Sequence, residues 1–331
     1  MIAFVVLACL YVLLGYIATR VVLYIATRNN ILDQPNERSS HSKPTPRIGG
    51  LGFVAIISII LAIELFVHAP PPQLILTLML PALLLSAIGL IDDLFSLSNR
   101  ARFCFQVILA SVVVTVVAPF PVETAALTIA VTIILTIAIA WLINLFNFMD
   151  GIDGIAAAEA IFILLSLALL LSLNTEENSW SRLIFFTAMP VAGFLLLNWS
   201  PAKIFMGDVG STYLGLLIGC LMLIAIKFGI SIWSCLILAA VFLCDATLTL
   251  ITRMTTGQQW FKAHRSHAYQ KLAEKLSHAK VSFGVTLVNI FWLLPLALIS
   301  THLSTYSPVI TVVAYAPLVA VCLKIKAGRA K

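Results

Sequence analysis

Residues 123–154 read ETAALTIAVTIILTIAIAWLINLFNFMDGIDG. Between Glu123 and Asp150 the stretch carries no charge, and it is long enough to cross a bilayer as a helix, which takes roughly 20 apolar residues. It then ends in Asn144, Asn147, Asp150, Gly151, Asp153 and Gly154. A greasy segment that terminates in carboxylates and small residues sets the pattern for the whole chain.

The pattern recurs from end to end. Of 331 residues, 61% are hydrophobic and 10% are charged. A soluble domain carries about a quarter charged residues, so a soluble fold is excluded. Apolar runs at roughly 2–24, 49–67, 74–91, 103–118, 123–143, 155–173, 182–198, 210–227, 231–251, 281–300 and 306–323 predict about eleven transmembrane helices. The expected fold is all-α, a polytopic integral membrane protein of one domain, 1–331. Its cytoplasmic loops are expected at about 25–48, 92–102, 144–154, 199–209 and 252–280. The first run lacks a basic lead and a small-residue cleavage site, so it is read as a span and not as a removed signal.

Lysine and arginine set the orientation. With the loop after the first span inside, the inner face collects Arg20, Arg28, Arg38, Lys43, Arg47, Arg100, Arg102, Lys203, Arg253, Lys262, Arg265, Lys271, Lys275, Lys280 and the basic tail. The outer face keeps Arg182 and Lys227. The positive-inside rule then places the N-terminus outside and the C-terminus inside. The net charge of +6 reflects topology and gives no case for nucleic acid. The six cysteines lie in apolar segments without paired spacing, so no disulfide framework or zinc site is implied.

With that orientation the acids separate. Glu64, Glu123, Glu176 and Glu177 fall outside; Asp92, Asp93, Asp150, Asp153 and Asp208 fall at the inner face, with Asp245 a little inside the ninth span. In LIDDLFSLSNRARF (90–103) a polar helix cap accounts for one acid, but two adjacent carboxylates at a membrane boundary repel and call for a cation. Asp150 and Asp153 share a face if their segment is helical. Close helix packing explains Gly151 and Gly154, but not the aspartates. Asn144 and Asn147 add amide donors and acceptors.

FMGDVGSTYLG (205–215) puts Asp208 and Ser211 at the start of an apolar helix. Either could be its N-cap. The same place presents free N–H groups to phosphate, and an adjacent aspartate can hold a metal on that phosphate. The proline-rich loop 33–52 offers Lys43 and Arg47 as anion contacts. In TGQQWFKAHRSHAYQKL (256–272), His264, Arg265, His267 and Lys271 sit among Trp260, Phe261 and Tyr269. Two histidines without a third strong ligand make a poor zinc site. One reading is an interfacial amphipathic segment and the other a loop that binds phosphate and handles protons; the two are compatible. Mg²⁺ usually takes one or two carboxylates plus substrate oxygens, so five aspartates cannot all be its ligands.

The motifs SKPTPRIGGLG, GLIDD, NLFNFMDGIDG, FMGDVGS and HRSHAYQ, in that order, resemble the polyprenyl-phosphate N-acetylhexosamine-1-phosphate transferase superfamily, glycosyltransferase family 4. HRSHAYQ looks more like the O-antigen-initiating branch than the peptidoglycan enzyme. The resemblance implies an inner-face catalytic cleft in a bacterial inner membrane. There, sugar 1-phosphate would pass from a UDP-N-acetylhexosamine (GlcNAc, GalNAc, FucNAc or QuiNAc type) to undecaprenyl phosphate, releasing UMP. It implies Mg²⁺, with Mn²⁺ as a substitute, and is compatible with a homodimer. It implies Asp208 as metal ligand, and Asp92 and Asp93 in metal binding and lipid-phosphate activation. His264 and His267 would be catalytic. Lys43, Arg47, Asn144, Asn147, Asp150, Asp153, Ser211 and Arg265 would bind substrate. The rival class is a lipid-phosphate transporter or flippase, which would place ionisable groups near the midplane in related halves.

Overall fold

The computed structural model describes residues 2–35, 43–67, 70–120, 124–174, 178–259 and 264–329. Arg38, Glu123, Glu176, Glu177, Trp260, Phe261 and Lys262 lie outside them. The chain is a helical bundle, because a bilayer leaves backbone polar groups no partner outside the helix itself. Its elements are α1 (Ile2–Arg28), α2 (Gly50–Val67), α3 (Pro72–Phe95), α4 (Asn99–Val117), α5 (Ala125–Met149), α6 (Ile155–Asn174) and α7 (Asn178–Asn198). There follow α8 (Asp208–Lys227), α9 (Ile232–Leu238), α10 (Ala240–Thr255), α11 (Ala268–Lys275), α12 (His278–Val288), α13 (Leu294–His302) and α14 (Ser307–Lys324). A π turn, Asn289–Leu293, joins α12 to α13.

Among the described residues, nine helices or continuous helical runs are long and apolar enough to cross a membrane. The pair α9–α10, bent by 76°, makes a tenth. α2 matches the remaining expected span but is shorter, its apolar part being Gly50–Phe66. A two-stranded antiparallel ribbon, β1 (Leu32–Asp33) and β2 (Thr45–Pro46), pairs Leu32 with Pro46 and Asp33 with Thr45. It ties the proline-rich first loop together.

α8 is the axis. Every residue from Val209 to Ala225 is buried, and α2, α3, α4, α5 and α6 all pack on it. Outer helices show the reverse: Ile129, Ile133 and Ile137, on one face of α5, are exposed, as lipid-facing side chains are. α3 comes against the start of α8 at Gly89, where an added Cβ would lie 2.5 Å from the Asp208 carbonyl oxygen. Ser86, one turn earlier on α3, donates to the Val209 carbonyl at 3.0 Å. One turn beyond Gly89 come Asp92 and Asp93.

Two expected boundaries move. The loop drawn at 144–154 is helical through Met149, so Asn144 and Asn147 belong to α5. α3 runs on to Phe95, so Asp92 and Asp93 are helical. Uninterrupted intrahelical hydrogen bonding carries both helices past their apolar stretches.

Candidate active site

The ends of α3 and α5 and the starts of α4 and α8 meet at one end of the bundle. Asn147 Nδ2 donates to Asp208 Oδ1 at 2.7 Å and contacts Ser211 Oγ at 3.1 Å. Arg102 Nη1 donates to Asp208 Oδ2 at 2.8 Å and also to Asp92 Oδ2. One guanidinium nitrogen thus bridges two carboxylates from two helices. The remaining Asp92 oxygen accepts from the Leu97 N–H at 2.6 Å. Asp93 is 6% exposed, and its Oδ2 accepts from the Val209 N–H at 3.0 Å.

Asp150 follows the last residue of α5 and is half-buried. Its carboxyl is held well above the usual carboxylate range, first by burial and then by Asp208, Asp93 and Asp153. This places four acids within electrostatic reach of one another. Arg102 touches Asp208 of this set and also Asp92, the neighbour of Asp93 in the chain.

Several expectations are corrected. Asp150 and Asp153 do not share a helical face, because α5 ends before them. Asp153 turns towards α12: its Oδ1 lies 3.2 Å from His278 Nδ1, and its Oδ2 accepts from the Ala202 N–H at 3.2 Å. Burial pushes the Asp153 carboxyl up, but His278, Ser200 and the Ala202 N–H outweigh it and leave it below the usual range. Gly151 is closed off by Tyr269, whose hydroxyl would lie 2.1 Å from an added Cβ. Gly151 therefore makes room for a side chain of this chain. The Tyr269 hydroxyl donates to the Phe148 carbonyl at 2.8 Å.

The start of α8 also differs from expectation. Gly207, at φ 75°, is its N-cap, not Asp208 or Ser211. Asp93 takes the Val209 N–H, and the Ser211 N–H returns to the Gly207 carbonyl at 3.0 Å. The helix start is occupied from within. Ser211 is 1% exposed and spends its hydroxyl on Asn147.

Lys43 is exposed. Arg47 Nη2 donates to the Asp93 carbonyl oxygen, so it supports the acid-bearing helix directly. Asn144 Nδ2 donates to Gln106 Oε1 at 2.6 Å. His264 is half-buried and stacks on His267 with ring centres 5.0 Å apart. Burial, then His267 and Arg253, push His264 down to about 4. His267 is 4% exposed and its Nδ1 lies 3.3 Å from Asp245 Oδ1. Arg265 Nε lies 3.6 Å from Glu274 Oε1.

Asp245, unassigned by the motifs, is the anchor of this second group. It accepts from the Ala268 and Tyr269 N–H groups at 2.8 Å each, which fixes the first turn of α11. Its sequence signal is an acid inside an apolar span. Arg102, His278 and Gln106 were also missed. The first reads as one more positive-inside residue, and the other two need the fold to acquire partners. Among the described residues, no group of three or more His, Cys, Asp or Glu side chains forms a ready-made metal cage.

Comparison with known proteins bears directly on this arrangement. Residues 75–226 match the model for glycosyl transferase family 4. That stretch runs from α3 to α8 and carries every acid of the first group. Over that stretch the chain is similar to glycosyl transferase family 4. It is 29% identical over 274 residues to a probable undecaprenyl-phosphate N-acetylglucosaminyl 1-phosphate transferase of Bacillus subtilis (strain 168), covering 79% of this chain and 75% of that protein. It is 33% identical over 231 residues to the decaprenyl-phosphate N-acetylglucosaminephosphotransferase of Mycolicibacterium smegmatis, covering 62% and 56%. A shorter match, 32% identical over 149 residues, is to the phospho-N-acetylmuramoyl-pentapeptide-transferase of Streptococcus sanguinis, covering 42% and 43%.

Proposed function

We propose that this protein acts as a member of glycosyl transferase family 4 and transfers N-acetylhexosamine 1-phosphate from a UDP-N-acetylhexosamine to undecaprenyl phosphate, releasing UMP, as the first membrane step of a cell-envelope polysaccharide such as O antigen. The observation that carries the reading is the convergence of Asp92, Asp93, Asp150 and Asp208 around Arg102 and Asn147 at one end of the bundle. A transporter reading expects such groups near the midplane.

The donor set suits Mg²⁺: hard carboxylate oxygens, two of them drawn to one cationic nitrogen. Asp208 and Asp92 would hold the ion, while Asp93 is tied to backbone at Val209. When bound, it would neutralise phosphate charge as two anions approach. An oxygen of the lipid phosphate forms the new bond to the sugar-bearing phosphorus, and the bond to UMP breaks. Arg102 is placed to release its carboxylates and meet phosphate instead. Asn147 fixes the Asp208 rotamer. Lys43 and Arg265 supply further positive charge from the loops, and His264, neutral at pH 7, can accept but not carry a proton at rest. The site is read as facing the cytoplasm, with the N-terminus periplasmic.

The test uses detergent-solubilised protein, Mg²⁺, undecaprenyl phosphate and a panel of UDP-N-acetylhexosamines. UMP release and the mass of the lipid product are read together. Product with one sugar names the donor. Absence of UMP with every sugar, alongside lipid movement across vesicles, would establish the transporter instead.

A further inference from the structure

A groove of about 350 Å³ lies on the membrane-facing side of the bundle, away from the α3–α8 contact. Its walls are α6, α7 and the α12–π–α13 run, with Ala158, Leu165, Leu195, Trp199, Phe283 and Ile290 among its lining. The lining is almost wholly apolar. The π turn forms part of one wall, and Asn289, its first residue, is pinned to α6 by a 2.5 Å hydrogen bond from Nδ2 to Glu159 Oε2. An extra residue in a helical turn displaces the backbone.

Three observations identify what covers it. The first is length. From Ala158 to Leu169 the α6 wall rises roughly 16 Å at 1.5 Å a residue, close to the roughly 15 Å of hydrocarbon in one leaflet. The groove is a single-chain slot for one leaflet, far too short for an eleven-unit isoprenoid. The second is charge. Lys280 lies one turn before Phe283 on the same face of α12, and Lys203 directly follows Ala202. Both are exposed at the end of the groove where the Asp153–His278 contact sits. That carboxylate is already engaged by His278 and Ala202, and among the described residues no acid pairs with either lysine. The third is Trp199, at the same end, a residue type that favours the headgroup level.

We propose that this groove binds an anionic bilayer phospholipid, one acyl chain lying along α6 and the phosphate meeting Lys203 and Lys280. The site is separate from the transferase reading and does not depend on it. Its polar end does share a wall with the Asp150–Gly154 loop: Gly154 lies against Trp199, whose Cε3 would be 3.0 Å from an added Cβ. A lipid seated there would brace that loop from outside.

Delipidated full-length protein is titrated with phosphatidylglycerol, phosphatidylcholine and polyprenyl phosphate, and adducts are counted by native mass spectrometry. Two surface lysines predict phosphatidylglycerol binding roughly thirtyfold tighter than phosphatidylcholine. Lys203→Gln with Lys280→Gln should bring the two lipids level. Both positions are exposed, so this variant keeps its packing. Leu165→Trp, which fills the groove, should weaken both lipids. Equal binding of the two phospholipids by the native protein overturns the proposal. So does phosphatidylglycerol binding that neither variant changes, or its displacement by equimolar polyprenyl phosphate. Loss of a dimer mass in Leu165→Trp without any lipid adduct in the native protein would assign the groove to a second copy of the chain, and overturns it as well.

Discussion

His267 Nδ1 lies 3.3 Å from Asp245 Oδ1, and the same carboxylate receives the first two N–H groups of α11 at 2.8 Å. A membrane helix thereby fixes both the first turn of the interfacial helix and the ring that precedes it. Asp245→Asn keeps one acceptor oxygen but offers a donor where N–H groups arrive. Leaving a buried donor unmatched costs about 1–3 kcal/mol. The thermal midpoint should fall, and protease should cut near residues 264–276 sooner. Unchanged protection there would show that α11 is held by its apolar face alone.

Asp208 is joined to α5 through Asn147 and to α4 through Arg102, and the next residue, Val209, is joined to α3 through Asp93. Asp208→Asn preserves shape and removes charge. Mg²⁺ should bind far more weakly, measured by calorimetry as well as by turnover. Insertion and thermal stability should hold. Near-native Mg²⁺ affinity would remove Asp208 from the metal's ligands. Asp92→Asn should also weaken Mg²⁺, because it shares Arg102 with Asp208.

Asp153 holds α12 and the 199–203 turn together. Its carboxyl is depressed, so its stabilisation is full above the unfolded value and fades as pH falls through the folded one. Asp153→Asn should cost about 1.5–3 kcal/mol of stability at pH 7, and the difference from the native protein should shrink as pH falls below the ordinary carboxylate value of about 3.9. Half-maximal Mg²⁺ should stay where it is in the native protein. A rise matching that of Asp208→Asn would move Asp153 into the metal-centred group.

His264 is depressed to about 4 by burial, His267 and Arg253. The folded state then binds fewer protons than the unfolded chain between about pH 4 and an ordinary histidine value of about 6.5. Stability from this residue is present above that window and is lost as pH falls through it. An NMR titration of the labelled His264 ring should show no midpoint near 6.5. His264→Gln should flatten the acid side of the stability profile. A native midpoint at 6 or above would mean that His264 carries charge in the resting site.

The helices were legible because their cause is local. Long uncharged runs have no other way to satisfy their backbone in lipid, and each expected span has a helix. The limits of α3 and α5 were not legible, since a helix can run on past its apolar stretch into polar residues. In the site, Asp92, Asp93, Asp150 and Asp208 could be grouped from their placement at span ends. Their partners could not. Arg102 is separated from Asp208 by 106 positions, and nothing in its flanking residues distinguishes it from a topogenic arginine. Glu159 and Asn289 went unnoticed for a related reason. Each is a lone polar residue in an apolar run, and they meet only in the fold.

Gly89 abuts the main chain of Asp208 one turn before the paired acids. The separation between the α3 acids and the start of α8 is therefore set by backbone against backbone, with no rotamer between to absorb motion. That half of the site behaves as a fixed wall. Lys43, Arg265 and His264 sit on connecting chain instead, where conformational change is cheaper. Under the proposed transfer, differences in the size of the sugar would be accommodated on the loop side, and a change of donor preference should be sought by varying residues 43–48 and 264–267 and leaving the aspartates untouched.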